Sequence, residues 1–405
     1  MDLEQQNARK IIDALKSGTP PPENIEKLTV GRLQEQKILS EKMNLAQEGR
    51  PQTLFIRGEY GEGKSHLLTL LQNNALKANF IVATVTLDSR EQPLHKLERI
   101  YYYVAKTLNV LENGRVNNIT LGEIFSRCAS EMLKAVEPML YDRCKHGLHY
   151  AACANFCLGQ SLLSNHFPVI AKQKQGLSAA LKLLVWSKSR KDEDLEFFIQ
   201  TWINGEHLTR AEFSYIRKFL SKSDSTLPKS IPSNDIINVL LSLSNLVDLL
   251  KFNGISIVFD EAEAIPSINI GKNRMAAYFN LCQIISAPIS LKKGKIMFIY
   301  ATTPTFYYDV GIFFDSLRNI GTEKYVEVVE TLLKKNTIEL SPISSDEKLE
   351  LMRLISATSY EAKGKRMPED FWEKLGPVAK MIAELNWPIR AYVTYWCNIT
   401  DIYKS

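Results

Sequence analysis

The sequence predicts an α/β protein: a parallel five-stranded sheet flanked by helices, with a long helical insertion and a C-terminal helical lid. Three observations predict it. An apolar strand, "TLFIR" at Thr53–Arg57, passes through a glycine-rich turn straight into a helix beginning Lys64-Ser65. A second apolar run, "ISIVFDEAE", ends on the acidic pair Asp260–Glu261. Strand-like and helical patterns alternate on both sides of a middle stretch with little strand character.

Taken in order, Ala8, Ile11, Ile12 and Leu15 fall at helical spacing, and Pro20, Pro21 and Pro22 end that helix. A second helix over about 33–48 leads into the first strand, and a third follows the glycine-rich turn to about Lys77. "FIVATVTLD", Phe80–Asp88, is rich in β-branched residues and reads as a buried strand. Residues 111–235 read as a helical insertion. The pattern resumes with the helix "NDIINVLLSLSNLVDLLKF", the strand ending at Asp260, a helix near 274–285, the strand "KIMFIYATT" and a short fifth strand at Asn336–Leu340. The expected division is a discontinuous α/β core over 1–110 and 236–343, the insertion over 111–235, and a helical lid over 344–405.

The spacing Gly-x-x-x-x-Gly-Lys-Ser, at Gly58, Gly63, Lys64 and Ser65, is a P-loop, with Gly61 as a further glycine inside it. Phosphate binding needs backbone N–H groups turned toward an anion, which small residues permit, and the following helix N-terminus adds positive potential. Lys64 is expected to reach the β- and γ-phosphates and the Ser65 hydroxyl to bind Mg²⁺. Tyr60 and His66 belong to the same nucleotide-binding stretch, while the carboxylates of Glu59 and Glu62 must turn away from the phosphates. Asp260 is the expected second holder of Mg²⁺, and Glu261 the group that orients the attacking water. Thr302 or Thr303, ending the next strand, is placed to sense the γ-phosphate; the sequence does not choose between them.

Composition bounds the rest. With 45% hydrophobic and 23% charged residues, the chain can bury a large core. The net charge of +5 permits contact with nucleic acid without requiring it. The basic run Lys172–Lys191 reads as a solvated helix face or as a nucleic-acid patch. No apolar stretch has signal-peptide character or approaches the roughly 20 residues of a membrane span. Six cysteines without a dense framework fit reduced thiols and a cytoplasmic location. The cluster Cys144, His146, His149, Cys153 and Cys157 reads as a zinc site or as a helix with buried thiols and ordinary histidines.

With "TVGR" at Thr29–Arg32, the Asp260–Glu261 pair and "WPIR" near the C-terminus, the chain resembles AAA+ ATPases of the origin-recognition type. More closely, it resembles the P-loop ATP-binding proteins of bacterial phage-exclusion (BREX) loci. That resemblance rests on "ARKIIDALKSGTPP", "LTVGR", "GEYGEGKSHLL", "VFDEAE" and "YATTPTFY" in this order, and in the middle only on "WINGEH". It implies an AAA+ core that uses ATP and Mg²⁺, with Gly31 and Arg32 near the adenine. It also implies Arg390 as the lid arginine reaching the γ-phosphate, and Arg318 as an arginine finger for a neighbouring subunit, a role for which Arg353 and Arg366 also compete. The implied partners are a helicase or other defence proteins, DNA directly or through a partner, and a second copy of the chain. The residues after Arg390 are too few for the winged-helix domain of origin-recognition proteins, so DNA contact is expected from the insertion, the lid or a partner. The expected function is ATP hydrolysis driving assembly or remodelling of a DNA-associated antiphage complex. The alternative is a nucleotide-gated scaffold or switch with little turnover.

Overall fold

The computed structural model describes residues 3–21, 24–88, 90–144, 176–220, 227–268, 271–318 and 323–403. Among them run α1 (Leu3–Lys16), α2 (Leu33–Gln47), β1 (Gln52–Arg57), α3 (Lys64–Lys77), β2 (Phe80–Thr86), α4 (Leu97–Lys106), β3 (Leu108–Glu112) and β4 (Arg115–Ile119). Next come α5 (Leu121–Cys144), α6 (Leu177–Arg190), α7 (Glu193–Ile203), α8 (Arg210–Arg217), α9 (Ser233–Leu249), β5 (Gly254–Asp260) and α10 (Gly271–Ser290). The chain closes with β6 (Ile296–Thr302), α11 (Pro304–Arg318), α12 (Glu323–Lys335), β7 (Thr337–Glu339), α13 (Ser345–Lys363), α14 (Phe371–Ala383) and α15 (Ile389–Ile402).

The strands form one seven-stranded sheet in the order β4-β3-β2-β5-β6-β1-β7. From β2 to β7 the pairing is parallel, whereas β3 and β4 add an antiparallel hairpin beside β2. The expectation of five strands is therefore corrected to seven, and the stretch from Leu111 opens with strand rather than helix. The reason is local. Arg115, Val116, Asn117 and Asn118 of β4 are exposed and carry no buried alternation. Its turn, Asn113-Gly114 with φ of 53° and 73°, is the left-handed pair that a tight hairpin demands.

Side chains alternate across the parallel strands, so both sheet faces are apolar and both are covered. Leu54, Ile56, Val82, Val258, Met297 and Ile299 face α3 residues Leu67, Leu68 and Leu71. Phe55, Ile81, Ile257, Phe259 and Tyr300 face the other way. On that side Phe55, Tyr300 and Phe259 stack in a row, with centroids 5.3 and 4.9 Å apart. The insertion helices extend this second core instead of forming their own: Phe125, Leu184 and Trp202 belong to it. The weld is the segment Trp202–His207. Asn204 Oδ1 accepts the Gly122 N–H at 2.8 Å, and the Tyr101 hydroxyl donates to the Ile203 carbonyl.

A third core joins α1 to the C-terminal helices. Ala8, Ile11, Ile12 and Leu15 pack with Leu351, Ile355, Tyr392 and Trp396. The Arg9 Nε donates to the Ala362 carbonyl at 2.8 Å, and Lys16 pairs with Asp401. The first helix, though first in the chain, is thus built into the C-terminal helical layer. Among the described residues no helix is long and apolar enough to cross a membrane.

Candidate nucleotide-binding site

The site lies where the parallel strands end. After β1 the chain turns through Gly58–Gly63, with Gly61 and Gly63 at φ of 84° and 96°, a region side chains disfavour. Gly58 N–H donates to the Thr302 carbonyl at 3.2 Å, anchoring the loop to β6. Lys64 Nζ donates to the Gly58 and Glu59 carbonyls at 2.8 and 3.1 Å, so the buried ammonium sits inside the loop it closes. The Glu62 carboxylate accepts the Glu59 N–H at 2.7 Å, folding back along the loop.

Ser65 and Asp260 meet across the cleft: the Ser65 hydroxyl donates to Asp260 Oδ2 at 3.2 Å. Asp260 ends β5, and Glu261 follows it in the left-handed region at φ 56°. Burial and the neighbouring charges of Asp260 and Asp88 push the Glu261 carboxyl above the usual range, against the pull of Lys64 and Arg390. Glu263, on the 3-10 helix Ala262–Ser267, also lines the cleft, and burial pushes its carboxyl up as well.

From the C-terminal layer, Arg390 lays its guanidinium 5.2 Å from the Tyr60 ring centre and 3.4 Å from the Tyr60 hydroxyl. Above the P-loop the cleft widens into an apolar slot between the N-terminal segment and the C-terminal helices. Its walls are Leu15, Pro20, Leu28 and Val30 on one side and Ile343, Leu351, Ile389 and Val393 on the other.

The sequence-predicted residues divide. Tyr60, Gly61, Glu62, Gly63, Lys64, Ser65, His66, Asp260, Glu261, Arg390 and Arg32 all line the cleft. Arg32 does so with its guanidinium engaged. Nη2 donates to the Glu62 carbonyl at 2.9 Å and Nη1 to Glu35 and the Ser341 carbonyl, so it braces the P-loop. Gly31 lies off the cleft against the Glu347 carboxylate. His66 Nε2 and the Thr29 hydroxyl share a hydrogen bond of 2.9 Å, and that hydroxyl also donates to the Ile25 carbonyl. The histidine is therefore the donor of the pair. Burial and Arg32 push the His66 pKa down to about 4.

Thr302 and Thr303 do not line the cleft. The Thr302 hydroxyl turns across β1 to the Ile56 carbonyl and the Tyr307 hydroxyl, at 3.2 and 3.3 Å. Arg318 ends α11 in an ion pair with Glu330, also away from the cleft. His146, His149, Cys153 and Cys157 of the possible zinc cluster lie outside the described residues, as does the start of the basic run.

Sequence reasoning missed Glu263 and the apolar slot. A third acid in "DEAE" was a visible signal for the first. The slot had none, because its walls come from separate helices that meet only on folding.

A family model described as BREX system ATP-binding protein BrxC/D matches residues 3–375. The chain belongs to this family. No curated protein is a significant match to it. For this BREX ATP-binding protein, membership brings ATP binding and a place in antiviral defence, and the cleft offers groups of the right kind. Ser65 and Asp260 present two hard oxygens of the type Mg²⁺ prefers. Among the described residues no group of three or more His, Cys, Asp or Glu is gathered for a metal. The apolar slot suits a flat base held away from solvent.

Proposed function

We propose that the protein binds ATP with Mg²⁺ in this cleft and hydrolyses it as an AAA+ ATPase. The reading is carried by one observation: the Ser65 hydroxyl and the Asp260 carboxylate, 195 residues apart in sequence, lie 3.2 Å from one another beside the P-loop. In this reading the amides of Gly61–Lys64 grip the phosphates, and Lys64 exchanges its loop carbonyls for phosphate oxygens. Ser65 and Asp260 hold Mg²⁺, which neutralises charge on the phosphates. Glu261 accepts a hydrogen bond from the attacking water, and Arg390 balances charge at the γ-phosphate. Arg318 could serve a neighbouring copy only after leaving Glu330. The cycle would drive assembly or remodelling of a DNA-associated defence complex in the cytoplasm, with a helicase or another defence protein as partner.

The experiment is a pair of variants. Lys64→Ala should abolish ATP binding, while Glu261→Gln should bind ATP and lose turnover, measured as phosphate release with and without DNA. Undiminished release from Glu261→Gln would remove that residue from the chemistry.

The contact between Arg390 and the P-loop favours a second reading, a nucleotide-gated switch in which ATP sets the lid position and turnover is slight. Tight ATP binding without phosphate release, DNA present or absent, would select it.

A further inference from the structure

We propose that Glu263 is a second catalytic carboxylate of this site, accepting a hydrogen bond from the attacking water alongside Glu261; the inference rests on the hydrolytic reading above. Two features of one turn point to it. Glu261 takes a left-handed φ of 56°, a conformation that side chains adopt at a cost and that gathers at functional sites. That bend buries Ala262 in the core and brings Glu263 back to the cleft wall, in company with Lys64, Asp260 and Arg390.

There the Glu263 Oε2 is shielded from solvent, and among the described residues it has no hydrogen-bond partner. A buried carboxylate oxygen without a donor is destabilising, and folded chains keep few of them. Of the cations on that wall, Lys64 already donates to Gly58 and Glu59, Arg32 to Glu62, and Arg390 lies against Tyr60. An acid in the first turn of a helix is favoured by the helix dipole, but that preference is satisfied by an exposed carboxylate and does not explain a shielded oxygen. What the position suits is an O–H donor arriving with the substrate. In hydrolysis the water oxygen bonds to the γ-phosphorus while the bond from that phosphorus to the bridging oxygen breaks. ADP leaves with that electron pair, and the water's proton passes through a carboxylate to the released phosphate or to solvent. Two acids on one turn can hold both hydrogens of that water.

The test uses the full chain as Glu263→Gln, Glu263→Met and unmodified protein. Phosphate release, affinity for a fluorescent ATP analogue with Mg²⁺, and the thermal midpoint without nucleotide are measured. The expected result is a turnover at least tenfold lower in Glu263→Gln, with affinity within about twofold of the unmodified chain. Glu263→Met should melt at the same or a higher temperature, because it removes the unpartnered oxygen. Unmodified turnover in Glu263→Gln overturns this inference alone. A lowered midpoint in both variants also overturns it, since Glu263 would then be structural. An unmodified chain that binds ATP and releases no phosphate removes the hydrolytic reading and this inference with it.

Discussion

The backbone N–H of Arg390 donates to the carbonyl of Gly61 at 3.2 Å, so the last helix of the C-terminal layer begins on the phosphate loop itself. A Cβ on Gly61 would stand 2.9 Å from Pro388 Cβ, and φ at Gly61 is 84°. Alanine there meets strain of about 1–2 kcal/mol in the left-handed region and a clash with Pro388. Gly61→Ala is expected to weaken ATP binding at least tenfold, read by titration with a fluorescent analogue. Unchanged affinity would show that the loop tolerates a displaced lid.

Tyr60 is 70% exposed, yet its ring lies under Arg390. Removing the ring should free the guanidinium at a cost of about 0.5–1 kcal/mol. Tyr60→Ala is expected to raise the Kd for ATP two- to fivefold, and Tyr60→Phe to change it little. Arg390→Ala, which removes the charge as well, should have the larger effect. Equal losses in Tyr60→Ala and Tyr60→Phe would shift the weight to the hydroxyl.

His66 is donor to Thr29 and is held neutral by burial and by Arg32, with a pKa of about 4 against 6.5 for an ordinary histidine. Between those values the unfolded chain binds a proton that the folded chain refuses. Stability is therefore full above about pH 6.5 and falls as pH drops toward 4, by on the order of 2 kcal/mol once water reaching the cleft is allowed for. His66→Gln should flatten that limb of the stability–pH curve, measured by urea unfolding at pH 7.5 and 4.5. A limb as steep as in the unmodified chain would locate the titration elsewhere.

Much of this architecture was legible because the deciding residues are neighbours in sequence. Leu54–Ile56 and Ile255–Phe259, the latter broken only by the small Ser256, announce buried strands through their apolar runs, and Gly58–Ser65 carries its own turn geometry. Legibility fails where partners are distant. Thr302 ends β6 and Thr303 follows it, but the Thr302 hydroxyl direction is decided by Tyr307 and the Ile56 carbonyl. Arg32 lines the cleft, and its hold on the loop through Glu62, Glu35 and Ser341 could not be read from the sequence, because Ser341 is far from it along the chain. The hairpin at Leu108–Ile119 was overlooked although Asn113-Gly114 advertised it, since the solvated side chains of β4 hide the strand period.

The junction of Gly122 and Asn204 offers a test of a different kind, on stability without the site. Asn204 is 5% exposed, and its Oδ1 accepts the Gly122 N–H at 2.8 Å. A Cβ on Gly122 would stand 2.6 Å from the Gln200 carbonyl oxygen, where backbone meets backbone and neither yields cheaply. Asn204→Ala leaves a buried N–H without an acceptor, a loss of about 1–3 kcal/mol. Gly122→Ala should cost at least as much, because the first turn of α5 must move off α7. Because the insertion shares the core beneath the sheet, the whole chain should lose stability in one transition, visible as a lowered midpoint in thermal unfolding. ATP affinity at 25 °C should stay within about twofold in both variants, since neither residue lines the cleft. A separate early transition in Asn204→Ala, with the main one unmoved, would instead show that the insertion melts on its own.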